Sequence, residues 1–343
     1  MMSLNQAAWI NSAGEKPLTV GAAPMPKPGP RDIVIKNAAV AINPVDWKIQ
    51  DHGRYLSTYP FILGEDAAGV VEEVGSEVTR FKKGQRVIAH CPGLMTRNPA
   101  NSAFQLYSLA IEDLTAELPD SLSFQEGAVL PLALSTASAG LFQDDTLGLP
   151  LPSPEDIQQR NETILVWGGA SSVGSVAIQL AAASGLTVVT TASPRNHDFV
   201  RSCGAHTILD YKSPTVIEDI VSILRNAKFV GVFDSIAEPQ SFEAIAKIVN
   251  TLGGHVKVSS VLPYDKPTET FAPVYVVAFS IVQDPNTHIG QGIWREFVPR
   301  ALENGKLKPK PEPYSAGRGL QDIQRAFEVQ KSGVSAKKII IEL

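Results

Sequence analysis

The pattern of apolar and polar positions changes near residue 160. Before it, apolar residues come in short runs broken by glycine and proline. Ile33-Val34-Ile35 follows residues 24–30, a Pro/Gly-rich stretch whose X-Pro steps force extended or turning backbone. Gly69-Val70-Val71-Glu72-Glu73-Val74-Gly75 and Gly84-Gln85-Arg86-Val87-Ile88-Ala89 are two more such runs. Short strands punctuated by glycine at this spacing predict a small β-barrel rather than a parallel sheet. Residues 141–161 show little periodicity and read as a surface excursion.

Beyond it the pattern is that of an α/β unit. Thr163-Ile164-Leu165-Val166-Trp167 is a continuous apolar run, which suits a strand buried on both faces. A glycine-rich turn follows, then a helix over 172–183 with Val176, Leu180 and Ala183 on one stripe. Further strands are expected at 187–191, at 229–234 ending on Asp234, and at 255–258. Strands alternating with helices predict a doubly wound parallel sheet. The run 274–280 is apolar and β-prone, and Lys337-Lys338-Ile339-Ile340-Ile341 reads as a last strand returning to the first domain.

Composition narrows the class. At roughly 100–200 residues per domain, 343 residues imply two domains, and 44% hydrophobic with 19% charged residues excludes disorder. A net charge of −5 without a basic block argues against nucleic acid. The two cysteines, Cys91 and Cys203, form neither a CxxC pair nor a disulfide framework, as expected in a reducing compartment. The N-terminal residues lack a secretory pattern, and the longest apolar run, 272–282, is too short to span a bilayer. A soluble, cytoplasmic protein is expected.

The turn Gly168-Gly169-Ala170-Ser171-Ser172-Val173-Gly174 lies between the apolar strand and the helix, the context that gives a glycine motif its meaning. Backbone there must pass close to a pyrophosphate, and the helix N-terminus offers N–H groups and a positive dipole end. From Gly169, the middle glycine of G-x-G-x-x-G is replaced by Ser171 and the last is Gly174. An NAD site carries Asp or Glu at the end of the second strand. Here Thr190-Thr191-Ala192-Ser193-Pro194-Arg195-Asn196 holds no acid, and Ser193 with Arg195 suits a 2′-phosphate. The expected cofactor is NADP(H), held by Gly169, Ala170, Ser171, Ser172, Val173, Gly174, Ser193, Arg195, Ser235, Ser259 and Val261.

Four motifs in order carry a family resemblance over nearly the whole chain. Asn43-Pro44-Val45-Asp46-Trp47-Lys48, residues 60–69 (Pro60, Gly64 and Gly69 within them), Val74-Gly75 through Gly84-Gln85-Arg86-Val87, and Pro131-Leu132-Ala133-Leu134-Ser135-Thr136-Ala137 resemble the medium-chain dehydrogenase/reductase family. Within it the chain resembles the quinone oxidoreductase-like, zinc-independent branch. It is similar there to fungal trans-acting enoyl reductases and toxin-biosynthesis dehydrogenases of secondary metabolism. The resemblance implies a GroES-like β-barrel domain, residues 1–130 with 285–343, and a Rossmann domain, residues 131–284, with the active site in the cleft between them. It places the zinc ligands of alcohol dehydrogenases, Cys, His and Glu, at Asn43, Glu65 and Asp66, and their proton-relay hydroxyl at Val45. A site without thiolate and imidazole is a poor zinc site, so no metal is expected. His52 and His90 read as surface or structural histidines.

Without zinc, the compatible chemistry is hydride addition to a C=C conjugated with a carbonyl. The developing enolate then needs hydrogen-bond donors, and the α carbon needs a proton. Lys48 is the expected donor or electrostatic stabiliser, its alternative being a ribose contact. Asn43 and Asp46 line the nicotinamide end, or form a structural turn. Thr136 contacts the carboxamide or ribose, or caps a helix. Tyr55 and Tyr59 are expected to pack in the core, their alternative being to supply the proton, and the resemblance implies that Tyr211 flanks the adenine-side phosphate, its alternative being to pack. The resemblance implies a small-molecule or carrier-bound enoyl substrate and a polyketide synthase as partner, with neither nucleic acid nor membrane. It leaves monomer and homodimer open. A quinone reductase on the same scaffold and a non-catalytic cofactor-binding or regulatory protein remain as alternatives.

Overall fold

The computed structural model describes residues 4–343. The chain divides into two compact units, Met1–Leu132 with Glu312–Leu343, and Ala133–Pro311.

The first unit opens with eight strands: β1 (Asn5–Ile10), β2 (Thr19–Ala23), β3 (Asp32–Ala41), β4 (Phe61–Ile62), β5 (Asp66–Val74), β6 (Arg86–His90), β7 (Tyr107–Ile111) and β8 (Thr115–Glu117). The second unit follows with β9 (Thr163–Trp167), β10 (Thr187–Thr191), β11 (Thr207–Leu209), β12 (Phe229–Asp234), β13 (Val258–Ser260) and β14 (Val274–Tyr275). The chain then returns to the first unit with β15 (Glu312–Arg318) and β16 (Lys337–Glu342).

In the first unit, β2-β1-β4 form a small antiparallel sheet. The larger sheet runs β15-β16-β3-β5-β6-β8, with β7 also on β3. Strand β3 can serve three partners because it is ten residues long. Residues 32–36 pair with β7, residues 39–41 pair with β16, and β5 pairs with it from 33 to 41. A single bridge, Ala7 to Gln105, joins the β1 sheet to the segment leading into β7. The largest apolar cluster of this unit has Ile10, Ile42, Ile49, Phe61, Phe104 and Phe327 among its members, and a second gathers Ile33, Ile35, Val71 and Val87.

In the second unit every pairing is parallel, in the order β11-β10-β9-β12-β13-β14. Numbered within the unit this is 3-2-1-4-5-6, the dinucleotide-binding order. Strand β9 is central and all five of its residues are buried, which is why its sequence is an unbroken apolar run. The helix Ser172–Ala183 lies where its apolar stripe places it.

Four expectations need correction. The strand expected at 255–258 begins only at Val258, because Gly253, Gly254 and His255 all have positive φ and form a turn. In the run 274–280 only Val274–Tyr275 is strand. A 3₁₀ turn then starts at Ala278, with the Ser280 hydroxyl donating to the Val277 carbonyl at 2.7 Å. The stretch 141–161 is not all surface: the helix Pro131–Phe142 continues into it, and Leu147 and Leu149 are buried. Finally, residues 285–311, expected in the barrel domain, belong to the second unit. Trp294 is fully buried there with its indole N–H on Ser135 Oγ, and the Lys308 backbone N–H and C=O both pair with the Gln179 side chain.

Candidate functional site

In the second unit the strand order reverses at β9, and ligands of such sheets bind beyond the carboxyl ends of the strands at that point. The glycine-rich turn after β9 and Ser235 after β12 both lie there. The turn is tied on three sides. Gly168 N–H donates to Thr191 Oγ1 and Gly169 N–H to the Thr191 carbonyl, both at 3.0 Å, which fastens it to β10. Ser235 Oγ donates to the Trp167 carbonyl at 2.7 Å and accepts from Ser171 Oγ at 3.0 Å, which fastens it to β12. Ser171 is also the N-cap of the helix and accepts the Gly174 N–H at 2.9 Å.

The glycines are sterically required. Gly168 has φ +81°, the left-handed region that side chains avoid. A Cβ on Gly174 would lie 2.4 Å from the Gly168 carbonyl oxygen. The turn is thus a bare-backbone cradle at a helix N-terminus, the arrangement that receives a phosphate. The buried hydroxyls of Ser172, on the first helical residue, and of Ser259, in β13, have no hydrogen-bond partner among the described residues. A buried hydroxyl left unpaired is costly, and a polar ligand relieves it. These residues fit a dinucleotide of the NAD(P) class.

After β10, Ser193 and Arg195 share one tight turn. The Asn196 N–H closes it on the Ser193 carbonyl at 2.8 Å, and the Asn196 amide donates to Ser193 Oγ. Arg195 is exposed and makes no ion pair among the described residues. Tyr211 is also exposed, with Lys212 Nζ 5.8 Å from its ring centroid, so the packing alternative fails. Asp234, at the end of β12, accepts the N–H groups of Ile236 and Ala237 and the Ser241 hydroxyl. Burial pushes its carboxyl upward against those bonds, and its role is to hold the turn that presents Ser235. Val261 donates its N–H to the Asp234 carbonyl in the same neighbourhood. Thr136 sits inside the helix Pro131–Phe142, so it caps no helix.

In the first unit, Asn43 caps the helix Pro44–His52, with its backbone N–H on Asp46 Oδ2 at 2.7 Å. The Asn43 amide donates to Asp66 Oδ2 at 2.7 Å and accepts from Lys338 Nζ. Lys338 Nζ lies 2.9 Å from Asp66 Oδ2, both side chains almost wholly buried. Asp66 Oδ1 takes the Leu132 N–H at 2.6 Å. Glu65 Oε2 faces His90 Nε2 at 3.0 Å, again buried. Burial raises the Asp46 carboxyl well above the usual carboxylate range. The negative charges of Glu65 and Asp66 add to this, against the Asn43 N–H and Lys338.

The structure therefore brings Asn43 and Asp46 together and adds Lys338, Asp66, Glu65 and His90. Lys48 is apart from that network: half-buried, with its ammonium 5.6 Å from the Trp47 ring centroid, while Lys331 stacks at 5.5 Å. Tyr55 is exposed and has φ +71°, contrary to the packing expected of it, whereas Tyr59 packs against the core. The expected strand at 337–341 was the one signal that could have pointed to Lys338: a lysine inside an apolar β run must find a partner.

The donor set does not fit a catalytic zinc. Asn43 offers an amide already bonded on both sides, Asp66 is bonded to three groups, and Glu65 faces His90. The only thiol in this unit, Cys91, is buried, and burial together with Asp66 and Glu65 drives its titration far upward, away from thiolate.

Two family models match the chain: an alcohol dehydrogenase GroES-like domain over residues 29–120, and a zinc-binding dehydrogenase over residues 172–298. The trans-enoyl reductase himH of Aspergillus japonicus is 44% identical over 343 residues, covering 99% of this chain and 98% of that protein. The dehydrogenase pigH of Monascus ruber is 40% identical over 371 residues, with all of both chains covered. Among solved structures, an alcohol dehydrogenase superfamily protein from Novosphingobium aromaticivorans superposes with a TM-score of 0.75 at 26% identity, over 99% of this chain and 100% of that one. With the 3-2-1-4-5-6 sheet, the cradle after β9 and full-length identity of this degree, the chain belongs to the medium-chain dehydrogenase/reductase family.

Proposed function

We propose that this chain is an NADPH-dependent reductase of an activated C=C bond, an enoyl or enone group conjugated with a carbonyl, working without zinc in secondary metabolism. A nicotinamide dinucleotide would supply the hydride. The residues that would hold it are the 169–174 cradle, Ser235 and Ser259, with Ser193 and Arg195 on a 2′-phosphate. The observation that carries the reading is that one chain holds both a built dinucleotide cradle and a buried polar cluster whose amide and carboxyl groups fit no zinc. Chemistry that needs no Lewis acid follows, and the trans-enoyl reductase himH supports the same substrate class.

Asn43 is held rigidly by Asp66 and Lys338, which suits a donor aimed at developing enolate charge. Lys48 is the proton donor or stabiliser, with Trp47 supporting its ammonium. Thr136 orients the nicotinamide end. A carrier-bound enoyl chain delivered by a polyketide synthase is the substrate form proposed, and the relative's name, trans-enoyl reductase, supports its enoyl part.

The test is a fluorescence titration of purified protein with NADPH and NADH, followed by turnover with enones, enoyl thioesters and quinones, with and without chelator. Expected are tighter binding of NADPH, chelator-insensitive C=C reduction, and a loss of about tenfold in NADPH affinity, but not NADH affinity, in Arg195→Ala. Preference for NADH would overturn the cofactor assignment. Reduction of quinones alone would make the chain a quinone reductase, and binding without turnover would make it a non-catalytic relative.

A further inference from the structure

Three carboxyl groups, Asp46, Glu65 and Asp66, converge in one buried region of the first unit. Such a cluster is unstable unless a cation or protons compensate it. Glu65 is met by His90, and Asp46 is driven towards its neutral form by burial. Asp66 is met by Lys338, whose Nζ lies 2.9 Å from Oδ2. Lysine is almost never fully buried unless paired, and Lys338 is 3% exposed.

The position of Lys338 follows from strand pairing. Strand β16 lies between β15 and β3, with Ile340, Ile341 and Glu342 opposite Ala41, Val40 and Ala39. Lys338 precedes that register by two residues, so it lies beyond Ala41 on the line of β3, where the chain enters Ile42, Asn43 and the helix from Pro44. Its ammonium there meets the Asn43 amide oxygen and the carboxylate at the start of β5. Asp66 in turn holds the Asn43 amide through Oδ2 and the Leu132 N–H, in the first turn of the helix Pro131–Phe142, through Oδ1.

We infer that Lys338 is the resident counter-cation of this buried carboxyl cluster, and a positioning residue for Asn43 and for the start of the helix at Pro131. One ammonium neutralises Asp66, and the neutralised pair orients both neighbours. The inference rests on the zinc-free reading above and goes beyond it by naming the group that compensates Asp66.

The experiment measures bound metal by elemental analysis and thermal melting, with and without chelator or added zinc. It uses the wild-type chain, Lys338→Met, Lys338→Arg, Asp66→Asn and the double variant Lys338→Met/Asp66→Asn. Expected are substoichiometric zinc in the wild type and a melting temperature that neither chelator nor zinc moves. Lys338→Met should melt lower, by on the order of 10 °C, because it strands a buried carboxylate. Asp66→Asn in that background should restore much of the loss, since it removes the stranded charge, and Lys338→Arg should fall between. Should Lys338→Met be insoluble, soluble expression of the double variant is the same result. A double variant no more stable than Lys338→Met would overturn the counter-cation role and leave the zinc-free reading standing. Stoichiometric zinc whose removal lowers the melting temperature would overturn both. Neither readout depends on which substrate is reduced.

Discussion

Replacing Gly174 by alanine tests the cofactor cradle most directly. The new Cβ would lie 2.4 Å from the Gly168 carbonyl oxygen, 2.7 Å from Ser235 Oγ and 2.9 Å from Ser171 Oγ. The first of these is backbone, so no rotamer change relieves it. The Gly168 carbonyl also accepts the Ser171 N–H at 2.9 Å, and Ser171 and Ser235 are bonded to each other. Relief must therefore come from opening the turn itself. Overpacking costs about 1–3 kcal/mol, and each hydrogen bond lost adds about 1 kcal/mol, so the expected destabilisation is on the order of 3 kcal/mol. A cradle displaced by several tenths of an ångström should bind dinucleotide on the order of 10–100-fold more weakly, which corresponds to about 1.4–2.8 kcal/mol. Fluorescence titration with NADPH and chemical denaturation measure the two losses. Gly21→Ala is the control: its Cβ meets nothing within 4 Å, and its stability should stay within about 1 kcal/mol of wild type. Equal behaviour of the two variants would refute the close-approach argument.

Two more variants separate chemistry from architecture. Lys48→Met should lower kcat on the order of 100-fold with the melting temperature unchanged, because the side chain is half-buried and outside the Asn43–Asp66–Lys338 network. An unchanged kcat would reduce Lys48 to a cation stacked on Trp47. Asp46 gives a pH signature: its folded-state titration is raised, so the native state holds the extra proton and stability falls as pH rises from the unfolded carboxylate value through the raised one. Asp46→Asn, which keeps an acceptor for the Asn43 N–H, should flatten that fall in denaturation measured across pH. Parallel curves for both proteins would contradict it.

Residues 163–191 of the second unit were legible in the sequence almost to the residue, because their signals are local. An unbroken apolar run gave β9, helical periodicity gave Ser172–Ala183, and the glycines between them gave the cradle. The misread strand at 255–258 was equally local in cause, since positive φ at His255 is not advertised by histidine. The same holds for Tyr55, whose exposure residue type does not announce.

The first unit's site was different. Asn43, Glu65 and Asp66 could be placed by motif, and the lack of thiolate and imidazole at these three positions could be read from the sequence. Their pairing could not. Lys338 lies 295 positions from Asn43, and only the seating of β16 against β3 brings them together. His90 reached Glu65 through the pairing of β5 with β6, and residues 285–311 joined the second unit because Trp294 is buried against Ser135. By itself the sequence determined the strands at 163–167, 187–191 and 229–234, the helix at 172–183 and the glycine turn between them, since backbone propensity and burial periodicity act within a few residues. Tertiary structure alone decided which buried charge meets which, because a carboxylate taken from water is stabilised by whatever cation the fold delivers, however far away in the chain.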